Sequence, residues 1–244
     1  GDKNTAIGFR ALKSFEADTD GHGSNTAVGA NAAENMSTGT ENVAIGQSAI
    51  GSGVTTGNYN IAIGTNAGNA LTSGNSQVLI GYQAGDALTT GEGNVAIGHR
   101  ALSAEDEHGR NVAIGYQALQ VLDAGQEGYN TAVGYVAGKT LSDGQGNTYL
   151  GAEAGQHATT GDDNVGIGYK ALRALTTGAN NIAIGQMALT SEDTGSRNVA
   201  IGEQALRNQD YAGNAYNVAV GFYAGTSVTT GIQNTIVGGL AGDA

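Results

Sequence analysis

Apolar and polar residues recur along this chain in one five-residue phrase. The letters NVAIG stand at 42–46, 94–98, 111–115 and 198–202, and variants such as NTAVG and NIAIG fill the intervals. Fourteen copies begin at residues 4, 25, 42, 60, 77, 94, 111, 130, 147, 164, 181, 198, 217 and 234, and nine of the thirteen intervals are 17 residues. This period is too short for two-helix repeats or propeller blades and is typical of one coil of a β-solenoid.

We number the positions of each coil from the residue that opens the phrase, and we number the coils in chain order. Position 1 is Asn except for Gln77, position 5 is always Gly, and position 8 is always Ala. Stacked amides at position 1 are expected to bond to their copies and to corner backbone groups. Glycine directly after a strand predicts a positive φ or a crowded backbone. Position 8 predicts a second short strand, and the recurring TTG predicts a closing turn.

The three residues after the amide predict a strand with two different faces. Positions 2 and 4 hold Val, Ile, Thr or Leu, whereas position 3 is Ala in ten coils. Because alternate residues of a strand point to opposite faces, we expect positions 2 and 4 to fill the core and position 3 to face outward. An outward stripe of small apolar residues is typical of an interface, and oligomerisation would thicken a thin core. The alternative is that Ala only avoids bulk on a surface strand.

The preferred interpretation is a homotrimer packed through position 3. The predicted interface consists of Ala6, Ala27, Ala44, Ala62, Leu79, Ala96, Ala113, Ala132, Tyr149, Ala183, Ala200, Ala219 and Ile236. The fold class predicted is all-β, a parallel β-solenoid or β-roll of about 14 coils with a 17-residue period. No linker interrupts the repeat, so residues 1–244 are expected to form one domain, a segment of a longer fibre protein.

Composition narrows the class of function. The chain has 42 Gly, no Pro, no Cys and no Trp, which disfavours helical and collagen structure and excludes thiol chemistry. Its net charge is −12, which disfavours binding to nucleic acid or anionic membranes. The sequence has no apolar run long enough to span a membrane, so no membrane insertion is expected.

The phrase NVAIG resembles the N-S-V-A-I-G phrase of the heads of trimeric autotransporter adhesins. The longer units, such as NIAIGTNAGNALTSG and NVAIGYQAL, are similar to repeats in bacteriophage tail fibres. The resemblance covers all fourteen copies and implies a left-handed β-roll and a homotrimer. The period of 17 against about 14 in those heads, and Ala in place of their second-strand Ser, are departures from the adhesin pattern.

Candidate catalytic and metal-binding groups are few. His22, His99, His108 and His157 are scattered over three coils and over different positions, and surface histidines are the favoured interpretation. Carboxylates cluster at 105–107, 162–163 and 192–193, where solvated turns are favoured over a catalytic pair. The DTDG at 18–21 partly matches a calcium loop without meeting its spacing. No enzyme activity, cofactor or metal is therefore predicted.

Position 6 carries several aromatic residues, which form either a stabilising ladder or a surface for sugars or a partner protein. The candidate receptor-binding residues are Tyr82, Tyr116, Tyr135 and Tyr169. The function predicted is the shaft or head of a phage tail fibre on the virion surface, attaching to a host receptor that is a glycan or a protein. The alternatives are a bacterial adhesin head at the cell surface and, through ranked threonines, an ice-binding solenoid.

Overall fold

A computed structural model describes residues 3–16 and 23–243, and each phrase forms one three-residue strand. Within each of the two compact units described below, the strands follow one another as parallel neighbours in chain order and in register; in the pair formed by coils 5 and 6, for example, Val78 lies beside Val95. This arrangement confirms the parallel β-solenoid and its 17-residue coil. Strands β1 to β14 are Thr5–Ile7, Thr26–Val28, Val43–Ile45, Ile61–Ile63, Val78–Ile80, Val95–Ile97, Val112–Ile114, Thr131–Val133, Thr148–Leu150, Val165–Ile167, Ile182–Ile184, Val199–Ile201, Val218–Val220 and Thr235–Val237.

The chain divides into two compact units. The first holds β1–β7 and consists of Gly1–Gln117 with Gly125–Glu127. The second holds β8–β14 and consists of Ala118–Ala124 with Gly128–Ala244. Each unit repeats the same coil, so the architecture of one coil describes both.

The strand faces are the reverse of the sequence prediction. Position 3 is buried in every strand from β2 to β13, whereas positions 2 and 4 are half-buried or exposed in all of them. The reason is steric: position 3 packs against position 9, since a Cβ on Gly166 would lie 3.4 Å from the Leu172 Cδ1 atom, so a small side chain at position 3 fits beside Leu at position 9. Leucine side chains at positions 9 and 12, such as Leu172 and Leu175, fill the remaining interior.

Large residues at position 3 fit because glycine makes room for them. Tyr149 is wholly buried, and a Cβ on Gly155 of the same coil would clash with one edge of its ring. A Cβ on Gly138, in the preceding coil, would lie 3.0 Å from the Tyr149 Cδ2 atom. Leu79 and Ile236 are accommodated in the same way by glycines at position 9 of their own and the preceding coil. The choice between Leu and Gly at position 9 therefore follows the size of the residue at position 3.

The position 1 amides form the ladder that the sequence predicts, and they also brace each coil. The main-chain N–H of Asn181 donates to Oδ1 of Asn164 at 3.0 Å, which joins adjacent coils. The Asn181 Nδ2 donates to the carbonyl of Gly195 at 2.9 Å, which ties the start of the coil to its closing turn. Asn164 and Asn181 are both wholly buried, so each bond satisfies a group that water cannot reach.

Position 8 lies in a corner rather than in a second strand. On either side of it, residues take left-handed conformations, with φ of 60° at Lys170 and 54° at Leu172. The Lys170 N–H donates to the preceding coil, at Ala152, and the Leu172 N–H donates to the following coil, at Ala188. The left-handed residues thus direct alternate donors to opposite neighbours, which is why this segment is not a regular strand.

The glycine at position 5 meets both conditions that the sequence predicts. Its φ lies between 126° and 143° in all fourteen coils. A Cβ on Gly81 would lie only 2.5 Å from the carbonyl oxygen of Gly98 in the next coil. Only glycine can therefore occupy this corner.

Candidate functional site

The outward face of the sheet is an uncharged aliphatic surface, which we call the aliphatic face. It consists of positions 2 and 4 of every strand, and none of these side chains is buried. Its members are Thr5, Ile7, Thr26, Val28, Val43, Ile45, Ile61, Ile63, Val78, Ile80, Val95, Ile97, Val112, Ile114, Thr131, Val133, Thr148, Leu150, Val165, Ile167, Ile182, Ile184, Val199, Ile201, Val218, Val220, Thr235 and Val237. A strand face that is exposed to solvent normally carries charged or polar residues, and this face contains no charge and no amide.

The residues predicted as the oligomer interface do not lie on this face. They are Ala6, Ala27, Ala44, Ala62, Leu79, Ala96, Ala113, Ala132, Tyr149, Ala183, Ala200, Ala219 and Ile236, and all of them from β2 to β13 are buried inside the solenoid. A buried side chain has no surface to offer a partner, so this assignment was wrong. Only the terminal strands differ, with Ala6 exposed and Ile236 half-buried.

The position 6 aromatics form a stacked ladder in the first unit. The ring centroids of Tyr82 and His99 are 5.1 Å apart, and those of His99 and Tyr116 are also 5.1 Å apart, with interplanar angles of 22° and 16°. Both faces of the His99 ring are therefore covered by its neighbours. Sugar rings bind to the faces of aromatic rings, so this ladder presents mainly ring edges to a glycan.

The other candidate receptor-binding tyrosines lie in the second unit. Tyr135 is exposed. Tyr169 is also exposed, and the Lys170 ammonium lies 4.7 Å from its ring centroid. Lys170 in turn lies 3.7 Å from Glu153. The structure places these tyrosines on the surface, and their role in receptor binding stays a prediction.

One acidic turn brings three possible metal ligands together. Glu105, Asp106 and His108 each place one ligand atom within 4.8 Å of the others. The Glu105 Oε1 accepts the main-chain N–H of His108 at 3.0 Å and lies 3.5 Å from the His108 Nδ1. Glu105 itself is wholly buried at position 12, where five coils carry Leu. The carboxylate therefore closes its own turn from inside the coil, unlike the solvated turn that the sequence predicts.

Glu192 occupies the same position in coil 11 and is also wholly buried. Its Oε1 accepts the main-chain N–H of Gly195 at 2.7 Å, and its Oε2 accepts from Nε2 of Gln209 at 3.1 Å. Burial raises the pKa of Glu192 above its ordinary value of 4.5, whereas the hydrogen bonds from Gly195 and Gln209 oppose that rise. Sequence reasoning assigned this carboxylate to a solvated turn and so missed the interior network.

The remaining candidate groups do not converge. The Asp162 Oδ1 accepts the main-chain N–H of Gln145 at 2.8 Å, which is a bond between adjacent turns. His157 lies on a different coil from His99 and His108. His22 and the 18–21 segment considered for calcium lie outside the described residues.

One rank of threonines, at position 13 of the coil, forms hydrogen bonds within the protein. The hydroxyls of Thr72, Thr89, Thr159 and Thr176 each donate to a main-chain carbonyl of the following coil. These hydroxyl hydrogens are therefore not directed at solvent, and this rank gives the ice-binding alternative no support from geometry. The neighbouring Thr90, Thr160 and Thr177, at position 14, are exposed.

Within residues 3–16 and 23–243, no helix is long and apolar enough to cross a bilayer. Searches against family models, curated proteins and solved structures found no match to this chain.

Proposed function

We propose that this chain is a structural segment of a surface fibre, such as a phage tail fibre, and that it supports attachment to a host cell as a homotrimer. The observation that carries the proposal is the aliphatic face, which leaves Val, Ile and Leu side chains open to solvent. Ile45, Ile182, Ile184 and Ile201 are 36–37% exposed in the chain alone. Covering such a surface with another apolar surface removes both from water, which is favourable.

The size of this face fits an interface. A three-residue strand covers roughly 10 Å by 4.8 Å, so seven strands of one unit present roughly 340 Å². Apolar patches of this size on single chains are often functional. Every copy of the chain carries the same side chains in the same coil. Copies that associate in parallel register therefore bring apolar residues against apolar residues.

Charge supports self-association through this face and solvation of the others. The net charge is −12, yet positions 2 and 4 carry none of the charged residues. Bringing copies together through this face therefore places no like charges in direct contact, while the acidic turns remain in water. No catalytic role is proposed for any residue.

The virion surface is the proposed location, and the host receptor is a glycan or a protein. A trimeric adhesin head on a bacterial cell surface is the alternative. The sequence that flanks this segment in its gene tests the two: an intramolecular chaperone would support the phage fibre, and an outer-membrane anchor domain would support the adhesin. A flanking polysaccharide lyase or hydrolase domain would contradict a purely structural role for the fibre.

Sedimentation tests the oligomer. We expect the wild-type chain to sediment with three times the mass of one chain, and Ile80→Asp with Ile97→Asp to sediment as a monomer, because both substitutions place charge on the aliphatic face. Ser73→Asp with Thr90→Asp is the matched control, since it adds the same charge at exposed turn positions of neighbouring coils. A folded wild-type monomer by circular dichroism and sedimentation would overturn the trimer.

A further inference from the structure

A hydrogen-bonded chain links the interior carboxylate of Glu192 to the amide ladder. The Gln209 Nε2 donates to Glu192 at 3.1 Å, and the Gln209 Oε1 accepts from Nδ2 of Asn217 at 2.9 Å. Glu192, Gln209 and Asn217 are all wholly buried. Water therefore cannot replace a bond that any of them loses.

Each member of this chain has a defined direction. The ionised Glu192 carboxylate is an acceptor only, and it also receives the N–H groups of Gly195 and Tyr211. Gln209 donates on one side and accepts on the other. Asn217 has a second acceptor for its Nδ2, the carbonyl of Gly231 at 2.6 Å.

We propose that protonation of Glu192 reverses the side-chain amide of Gln209 and so withdraws one hydrogen bond from Asn217 in the ladder. A protonated carboxyl presents an O–H donor where the ionised form presents an acceptor. Two donors then face each other between Glu192 and Gln209. Rotation of the Gln209 amide by half a turn presents its oxygen to Glu192 and its Nε2 to the Asn217 Nδ2. Asn217 then has no acceptor on Gln209 and keeps only its bond to the carbonyl of Gly231.

The charges around Glu192 favour uptake of the proton. The neighbouring carboxylate of Asp210 raises the pKa of Glu192, in addition to burial. Asp193 follows directly in sequence, and its Oδ1 accepts a bond from the Thr176 hydroxyl. Among the described residues, no Lys, Arg or His forms an ion pair with Glu192.

The direction of the pH effect follows from the raised pKa. The folded protein holds this proton more tightly than the unfolded chain, for which the ordinary value is 4.5. Folding is therefore favoured by protonation, and the gain is complete below pH 4.5. The gain is lost as the pH rises through the folded pKa.

Side-chain NMR tests the relay directly. We expect the NH₂ signals of Gln209 and Asn217 to shift together between about pH 8 and about pH 4, with one midpoint above the ordinary pKa of a Glu side chain. Glu192→Gln removes the titrating group, so both shifts should be lost. Titration at Gln209 with no change at Asn217, or no titration at either amide, would overturn the proposal.

Two further variants separate the relay from a general effect on folding. Gln209→Leu installs the residue that five coils carry at position 12. Asn217 should then cease to titrate, and this test remains open even if Glu192→Gln does not fold. Glu105→Gln is the matched control, because the residue at position 12 of the next coil is Leu122, which has no amide. A midpoint at Gln209 that moves with Glu105→Gln would contradict the assignment to Glu192.

Discussion

Left-handed backbone conformations concentrate at positions 7, 9 and 17 of the coil, on residues as different as Lys170, Leu172 and Asn180. For a residue with a Cβ this conformation costs about 1–2 kcal/mol. The cost is offset at each site by a hydrogen bond to a neighbouring coil, as for the Asn180 N–H and the carbonyl of Asp162 at 3.0 Å. The sequence does not reveal these residues, because nothing in Lys or Leu favours a left-handed conformation.

The glycine at position 5 should tolerate a side chain less well than a glycine that faces open space. Gly81→Ala introduces a Cβ 2.5 Å from a carbonyl oxygen, whereas Gly93→Ala meets no atom within 4 Å, and both positions have positive φ. We expect Gly81→Ala to lower the free energy of unfolding by about 3 kcal/mol or more and Gly93→Ala by about 1 kcal/mol. Urea unfolding of the two variants measures the difference, and equal losses would show that neither the close carbonyl nor the φ of 133° at Gly81 excludes a side chain.

The packing of Tyr149 against Gly155 predicts strong coupling between them. Tyr149→Ala should cost about 3–5 kcal/mol of stability because it leaves a cavity. Gly155→Ala should cost about 2–4 kcal/mol because its Cβ would clash with one edge of the ring. In the double variant the new methyl enters space that the ring has left, so its loss should be smaller than the sum of the two single losses. Additive losses in a double-mutant cycle would contradict this packing.

At the scale of the coil, the amide at position 1 makes two structural connections. It joins adjacent coils through Oδ1, which in Asn181 accepts the main-chain N–H of Asn198, and it closes its own coil through Nδ2, which in Asn181 donates to the carbonyl of Gly195. The sequence predicts this ladder well, because a buried amide repeated at a fixed period has few other ways to satisfy its donors and acceptors.

Asn181→Ala should therefore be costly for its size. It leaves a buried N–H of Asn198 and a buried carbonyl of Gly195 without their partners. The expected loss is about 2–4 kcal/mol in urea unfolding. Asn180→Ala, at the neighbouring exposed position, is the control and should cost less than about 1 kcal/mol. A similar loss for both would show that the ladder adds little to stability.

The direction of the strand faces could not be taken from alternation alone. A pattern of period two separates positions 2 and 4 from position 3, but it does not say which set lies inside. The usual assumption that Val and Ile lie inside fails here because the coil is too narrow for two facing ranks of β-branched side chains. The informative pattern lies elsewhere in the sequence: Leu79, Tyr149 and Ile236 each accompany glycine at position 9 of two coils.

The candidate site was predicted unevenly for the same reason. The aromatic rank at position 6 follows from the period, and the structure stacks Tyr82, His99 and Tyr116 as one of the two interpretations requires. The interior position of Glu105 and Glu192 does not follow from their charge. It follows only from their register with Leu71 and Leu88 at position 12.

For the whole molecule, the aliphatic face predicts that stability depends on protein concentration. If copies associate only when folded, mass action stabilises the folded state, and the Tm should rise with concentration. Calorimetry over a hundredfold range of concentration would show this, with about 2.7 kcal/mol of stabilisation expected at 100 times the dissociation constant. A constant Tm would contradict reversible self-association over that range.

The matching of position 3 with position 9 also sets how such a chain can change its length through descent. Tyr149 of coil 9 relies on glycines in coils 8 and 9, and Leu79 relies on glycines in coils 4 and 5. Loss of coil 9 alone by recombination would leave Gly138 beside an unfilled space, whereas loss of coils 8 and 9 together would remove the large residue with both of its glycines. The sequence repeat is one coil long. At these places, however, the smallest insertion or deletion that keeps the interior filled is two coils long.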